Sequence, residues 1–195
     1  YSLVNNSIAG GWYLNEGCTI NLHNTGAGAW IDLTGRLHIF GGTFNVYGGS
    51  TPCYWPYSST ASIEMSGGIL DFKDQGVYLS AGLPDFTNEI SGGTIRVNGG
   101  FYGSRTDFNP TGGTIEMVGS VDCTLSHGVG SNFHNVVINK SLIRDDDGMP
   151  IWETDKDGNT REVTRANMVN AASNLVIKGN FTISAGLFLA PELMK

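Results

Sequence analysis

Basic residues are scarce in this sequence: 11 Lys and Arg stand against 18 Asp and Glu, a formal charge of −7. No stripe of positive charge exists to neutralise a phosphate backbone, so a nucleic-acid partner is disfavoured. Long apolar runs are missing too. None approaches the roughly 20 residues that span a bilayer as a helix, and no membrane span is expected. Charged residues make up only 15% of the chain, but apolar residues reach 40% and aromatics 10%, enough to offset ordering entropy and argue against disorder.

Cysteine is sparse and oddly placed. Cys18, Cys53 and Cys123 form no C-x-x-C and cannot all pair with one another. One disulfide with a free thiol, or three thiols acting as small hydrophobes, are both open. The signatures of common chemistries are also lacking: no G-x-S-x-G, no phosphate-binding G-x-x-x-x-G-K and no H-E-x-x-H occurs. His23, His38, His127 and His134 have no metal-ligand spacing, and His38 falls in an outward slot of a strand. Gly (28), Thr, Asn and β-branched residues dominate, which excludes long helices.

What the chain does contain is a repeat. "HIFGGTFNVYGG", "EMSGGILDFKD", "EISGGTIRVNGG" and "NPTGGTIEMVGS" align on Gly41-Gly42, Gly67-Gly68, Gly92-Gly93 and Gly112-Gly113, spaced by 26, 25 and 20 residues. A self-similar period of that size marks a solenoid. Each copy reads apolar-x-apolar, a glycine corner, then Gly-Gly-x-apolar-x-apolar, and alternation over so few residues predicts a half-buried strand. Leu37, Ile39, Phe44, Val46, Ile63, Met65, Leu70, Phe72, Ile95, Val97, Ile115 and Met117 fill the inward slots. The fold class is therefore all-β: a right-handed parallel β-helix of about 20–26 residues per coil, with glycine at corners where a Cβ would obstruct.

Fainter copies carry the register onward. "FHNVVINK" places Val136 and Ile138 inward, "SNLVIKG" places Leu175 and Ile177, and "TISAGLFLAP" restores a corner at Ala185-Gly186 with Phe188 and Ala190 inward. Residues 1–195 read as a single β-helix segment of a larger repetitive protein. The start, "YSLVNNSIAGG", has no initiator Met and no signal layout. No polar cap is visible at either end, so neighbouring coils or subunits are expected to cover the open edges.

Three places could carry chemistry or binding. Asn45, Asp71, Arg96 and Glu116 share one outward slot, about 4.8 Å apart on successive coils. Asp71–Arg96–Glu116 then reads either as a solvated run of weak ion pairs or as a carboxylate pair flanking an Arg. Two coils separate the carboxylates by about 10 Å, beyond the retaining range and marginal for inversion. The second place is "STPCYWPYSST" (50–60), an insertion in which Tyr54, Trp55 and Tyr57 could stack on sugar rings, dock a partner, or fold back as a small satellite core.

The third is 144–170, which breaks the coil register and lengthens the Val136-to-Leu175 spacing to 39 residues. "IWETDKDGNTREV" within it reads as a β-hairpin around Asp-Gly, with Trp152 leading in as a further binding candidate. Its carboxylates Asp145, Asp146, Asp147, Asp155 and Asp157 raise a calcium site, the one cofactor considered, since hard cations want several oxygen ligands. "DKDGNTRE" lacks the full calcium loop, so a turn with solvated carboxylates is the simpler reading.

The run from Leu37 to Pro191, above all "GGTIEMVGS" followed by "FHNVVINKS", resembles repetitive β-helix segments of large secreted surface proteins of Bacteroidetes-type bacteria. Such proteins typically carry a C-terminal sorting domain for type IX secretion. The resemblance implies an extracellular or cell-surface, adhesin-like component and carries over no catalytic residue. The 144–170 hairpin, the three cysteines and the absence of a sorting domain depart from it. The functional expectation is a structural or adhesive β-helix facing surface glycan or protein, with enzymatic activity left open. The alternatives are a polysaccharide-active enzyme of the pectate-lyase-like class, using Asp71, Arg96 and Glu116, and a carbohydrate-binding module.

Overall fold

Each Gly-Gly corner is required twice over. The second glycine, Gly42, Gly68, Gly93 or Gly113, has φ between +68° and +76°, a conformation that side-chain-bearing residues avoid. The first has a different constraint. A Cβ on Gly67 would stand 2.6 Å from the Phe40 carbonyl oxygen, on Gly92 2.3 Å from that of Ser66, and on Gly112 2.0 Å from that of Ser91. The corners of successive coils therefore stack backbone on backbone. They are bonded as well: Ser91 and Gly92 both donate to Met65 O (2.8 and 3.2 Å), and Thr94 donates to Gly68 O (3.0 Å).

The computed structural model describes residues 2–3, 6–7, 11–24, 31–32, 36–48, 53–55, 62–79, 87–141, 149, 152–154, 156–162, 167–172 and 174–190. Strands that follow the glycine corners form an eight-stranded sheet: Ser2–Leu3, Thr19–Asn24, Thr43–Tyr47, Ile69–Phe72, Thr94–Val97, Thr114–Met117, Asn135–Asn139 and Phe181–Ala185. A second eight-stranded sheet runs Asn6–Ser7, Ile31–Asp32, Cys53–Trp55, Val77–Leu79, Phe101–Gly103, Cys123–Ser126, Met168–Ala171 and Leu187–Leu189. The third has four strands, Gly11–Leu14, Arg36–Ile39, Ser62–Met65 and Thr87–Ile90. Pairing within all three is parallel, which makes the chain a parallel β-solenoid. Among the described residues no helix is long and apolar enough to cross a membrane.

The inward slots behave as the alternation predicts. Phe44, Val46, Leu70, Phe72, Ile95, Val97, Ile115, Met117, Val136 and Ile138 are all buried on the first sheet, with Leu37, Ile39, Ile63 and Met65 on the third. Register sets the coil length: Phe44 pairs with Leu70, Leu70 with Ile95, Ile95 with Ile115 and Ile115 with Val136. The short coils after residue 100 have no third-sheet strand. Phe108 and Phe133 fill that corner instead, packing on Phe101 with ring centroids 5.7 and 5.4 Å away. Two bulky rings thus replace the interior area that a strand would supply.

The late register differs from the sequence reading. Val136 and Ile138 pair with Phe181 and Ile183, not with Leu175 and Ile177. The coil holding the insertion is therefore 45 residues long by register rather than 39. Leu175 and Ile177 lie half-buried on the third face, where Ile177 bridges to Phe133. Ala185-Gly186 turns between the first and second sheets, a different corner from the Gly-Gly series; Phe188 is half-buried and Ala190 exposed. The glycine at the equivalent of the earlier corners is Gly179, whose Cβ would meet His134 O at 2.9 Å. Within the insertion, Trp152–Thr154 pairs antiparallel with Thr160–Glu162, the expected hairpin, and Gly158 has φ +85°.

The two glycine constraints can be separated by mutation. Gly17 has φ +79° and open space within 4 Å of where a Cβ would stand, whereas Gly93 has φ +76° and would place its Cβ 2.4 Å from Gly67 O. Gly17→Ala should cost about 1 kcal/mol, the strain of the left-handed conformation alone. Gly93→Ala should cost about 3 kcal/mol or more, because backbone must move. Urea denaturation of the two variants measures the difference.

Candidate functional site

Flat parallel sheets place equal positions of successive coils in columns, so the outer faces carry side-chain ladders. On the first sheet the column reads Asn21, Asn45, Asp71, Arg96, Glu116, Val137. The expected ladder is there. Arg96 Nε donates to Glu116 Oε2 at 2.8 Å and Arg96 Nη1 to Asp71 Oδ2 at 3.4 Å; Lys73 Nζ also donates to Asp71 Oδ2. Asn139 Nδ2 donates to Glu116 Oε1 at 2.9 Å. Below the charged rungs Asn45 Nδ2 donates to Asn21 Oδ1 at 2.8 Å.

These groups are less solvated than an outward slot suggests. Asp71 is 2% exposed and Glu116 14%, while Arg96 keeps 34%. The long stems of Lys73 and Arg96 lie beside the shorter Asp71 and shield it. Burial acts to raise the Glu116 carboxyl, but the hydrogen bonds from Asn139 and Arg96 and the Arg96 charge outweigh it, so Glu116 titrates below the ordinary glutamate range. Its hydrogen bond to Arg96, working against burial and helped by the charges of Glu116 and Asp71, holds that guanidinium above its usual value. A general acid wants the opposite shift. Arg96 also occupies the space between the two carboxylates that a water or glycosidic bond would need.

The third sheet carries a second column, Tyr13, His38, Glu64, Glu89. Tyr13 stacks on His38 with centroids 4.4 Å apart, and His38 Nδ1 lies 2.7 Å from Glu64 Oε2. His38 is thus outward, as expected, yet covered on both sides and only 14% exposed. On the second sheet Tyr54, Tyr78, Tyr102 and Ser126 share a column.

The stretch 50–60 is corrected by this register. Cys53–Trp55 is a rung of the second sheet and not an insertion: Tyr54 holds the register of Tyr78, and Trp55 that of the buried Leu79. Dense aromatics between prolines look like a loop, but the β-propensity of Tyr and Trp wins between them. Tyr57 lies outside the described residues, as do Asp145, Asp146, Asp147 and Asp155. Trp152 is 60% exposed in the hairpin, and Asp157 sits exposed in its turn; among the described residues the hairpin pairs only with itself, in a sheet separate from the one that carries the Asp71 ladder. Cys18 and Cys123 are unpaired; Cys18 is exposed and so does not act as a core hydrophobe.

Two features went unread in the sequence. Lys140 is fully buried just past the strand Asn135–Asn139, donating to Val118 O (2.5 Å) and Asn98 O (3.4 Å), the corner carbonyls of the two preceding coils. Burial pushes its amine below the usual lysine value, while the neighbouring Cys123 thiol is pushed up by its own burial. Nothing in "INKS" announces an inward lysine. The tyrosine column did leave a signal: "GVY" at 76–78 and "GFY" at 100–102 repeat at the coil period. Compared with protein-family models, curated proteins and solved structures, the chain matches none of them.

Glu116 supplies a pH test. Its carboxyl titrates lower folded than unfolded, so its stabilisation is complete above the ordinary glutamate value of about 4.3 and is lost as pH falls through the lower folded value. Glu116→Gln should flatten the acid side of the stability–pH curve measured by urea denaturation. Arg96→Met should destabilise by about 1–2 kcal/mol at neutral pH, between exposed and buried ion-pair values.

Proposed function

We propose that this chain is a structural and adhesive β-solenoid of an extracellular, cell-surface bacterial protein, working as a stiff scaffold whose faces present ordered side-chain rows. The observation that carries the reading is the closure of the Asp71–Arg96–Glu116 ladder on itself. Its carboxylates are spent on holding neighbouring coils together, and Glu116 is biased towards the ionised state that suits a salt bridge rather than an acid catalyst. The resemblance of "GGTIEMVGS" and "FHNVVINKS" to repetitive surface proteins supports the extracellular setting.

The last coil fits this role. Phe181 and Ile183 stand in inward register yet are 41% and 50% exposed, and Leu187 and Leu189 are 48% and 40% exposed. Leu187 and Leu189 share the register of the outward Met168 and Asn170, so the exposed apolar surface of this coil spans its interior and its outer face and suits cover by a further coil or subunit.

A pectate-lyase-like enzyme is the competing class, and one assay separates them. The chain should release no reducing ends or unsaturated products from neutral or acidic polysaccharides, and Asp71→Asn and Glu116→Gln should alter only its melting. Turnover that disappears in those two variants would overturn the scaffold reading.

A further inference from the structure

We infer that the tyrosine column of the second sheet is a binding platform for a linear, uncharged polysaccharide lying along the solenoid axis. The inference rests on the scaffold reading above and gives one face of the scaffold a ligand. Tyr78 and Tyr102 are partners in register on adjacent strands, with ring centroids 6.5 Å apart and planes tilted by 33°. Tyr54 holds the same register one coil earlier and Ser126 one coil later.

Tyr102 lies in an unusual way. A Cβ on Gly100, two residues before it on the same face, would stand 2.5 Å from Tyr102 Cε2 and Cζ and 2.6 Å from its hydroxyl oxygen. The ring therefore reclines over the bare backbone of Gly100 instead of standing up from the sheet. The ring lies against the protein along its Cε2–Cζ side and is half-buried. The same Gly-x-Tyr spelling recurs at Gly76 and Tyr78. A Cβ on Gly76 would meet the Gly100 backbone and not the Tyr78 ring, so the reclining ring is that of Tyr102; held by the sheet, it loses little freedom when something stacks on it.

The chemistry of the occupant follows from the geometry. A row one residue wide, repeating at the strand spacing of about 4.8 Å, suits a narrow polymer with a regular repeat better than a broad protein surface. Sugar rings in a chain offer one: their apolar faces carry C–H bonds that meet the electron-rich face of an aromatic ring, while their hydroxyls point sideways to water and to polar neighbours. Asp32 stands in register with Tyr54 at one end of the row, and the chain carries a net charge of −7. Both disfavour an acidic polymer, and stacking on an aromatic face asks for no charge on the sugar, so an uncharged glycan suits the row.

The test uses the full chain with cellohexaose, xylohexaose and mannohexaose as probes, read by calorimetry and affinity electrophoresis. At least one hexasaccharide should bind, its monosaccharide should not, and Tyr78→Ala with Tyr102→Ala should weaken binding about tenfold or more. Gly100→Ala is the second variant. It keeps both tyrosines but displaces the Tyr102 ring, and should weaken the same hexasaccharide with little change in melting temperature. Absence of binding by all three hexasaccharides overturns the inference, as does binding that survives both the double variant and Gly100→Ala. Hexasaccharide binding accompanied by cleavage would instead uphold the tyrosine platform and overturn the scaffold reading.

Discussion

The close approach of backbones at the glycine corner is the constraint on which the rest depends. Gly67, Gly92 and Gly112 bring each corner so near the previous one that the carbonyls of Phe40, Ser66 and Ser91 occupy the space of a side chain. With the corner so tight, successive coils share one register over their flanking strands. That register puts Leu70 against Ile95 inside and Asp71 against Arg96 outside. A slip of a single residue would exchange the two faces, burying charge and exposing the core. Corner geometry and core packing are therefore two expressions of one requirement.

Columns are the consequence for function. A solenoid cannot vary one outward residue without giving it neighbours a strand away, so polar side chains settle their hydrogen bonds along the axis. Asp71, Arg96 and Glu116 do so by charge, Asn45 and Asn21 by amides, Tyr13 and His38 by stacking. Lys140 does so across the corner, tying two coils through their carbonyls. Rows closed in this way stabilise the rod and leave little free acid or base.

Most of the interior was legible because two signals coincide in each copy: a glycine pair and a period-two alternation. Ile95 and Val97 can be placed inward from "GGTIRV" alone. The charged column was legible for the same reason, since one register fixes both faces. Legibility failed where only one signal remained. Second-sheet strands such as Val77–Leu79 are three residues long, too short to show alternation. "CYW" was hidden by flanking prolines. After the insertion no glycine pair remained, and Leu175 took the place that belongs to Phe181. Burial of Asp71 was invisible because it depends on how the neighbouring stems of Lys73 and Arg96 lie.

The corner claim is tested most directly by native-state hydrogen exchange. The amides of Ile69, Thr94 and Thr114 donate to Gly42, Gly68 and Gly93 of the preceding corner at 2.9, 3.0 and 3.0 Å. If stacked corners hold the coils in register, these amides exchange as slowly as those of the strands they begin, and lose protection together with them. Exchange at the rate of an exposed turn, with the strand amides still protected, would contradict the account.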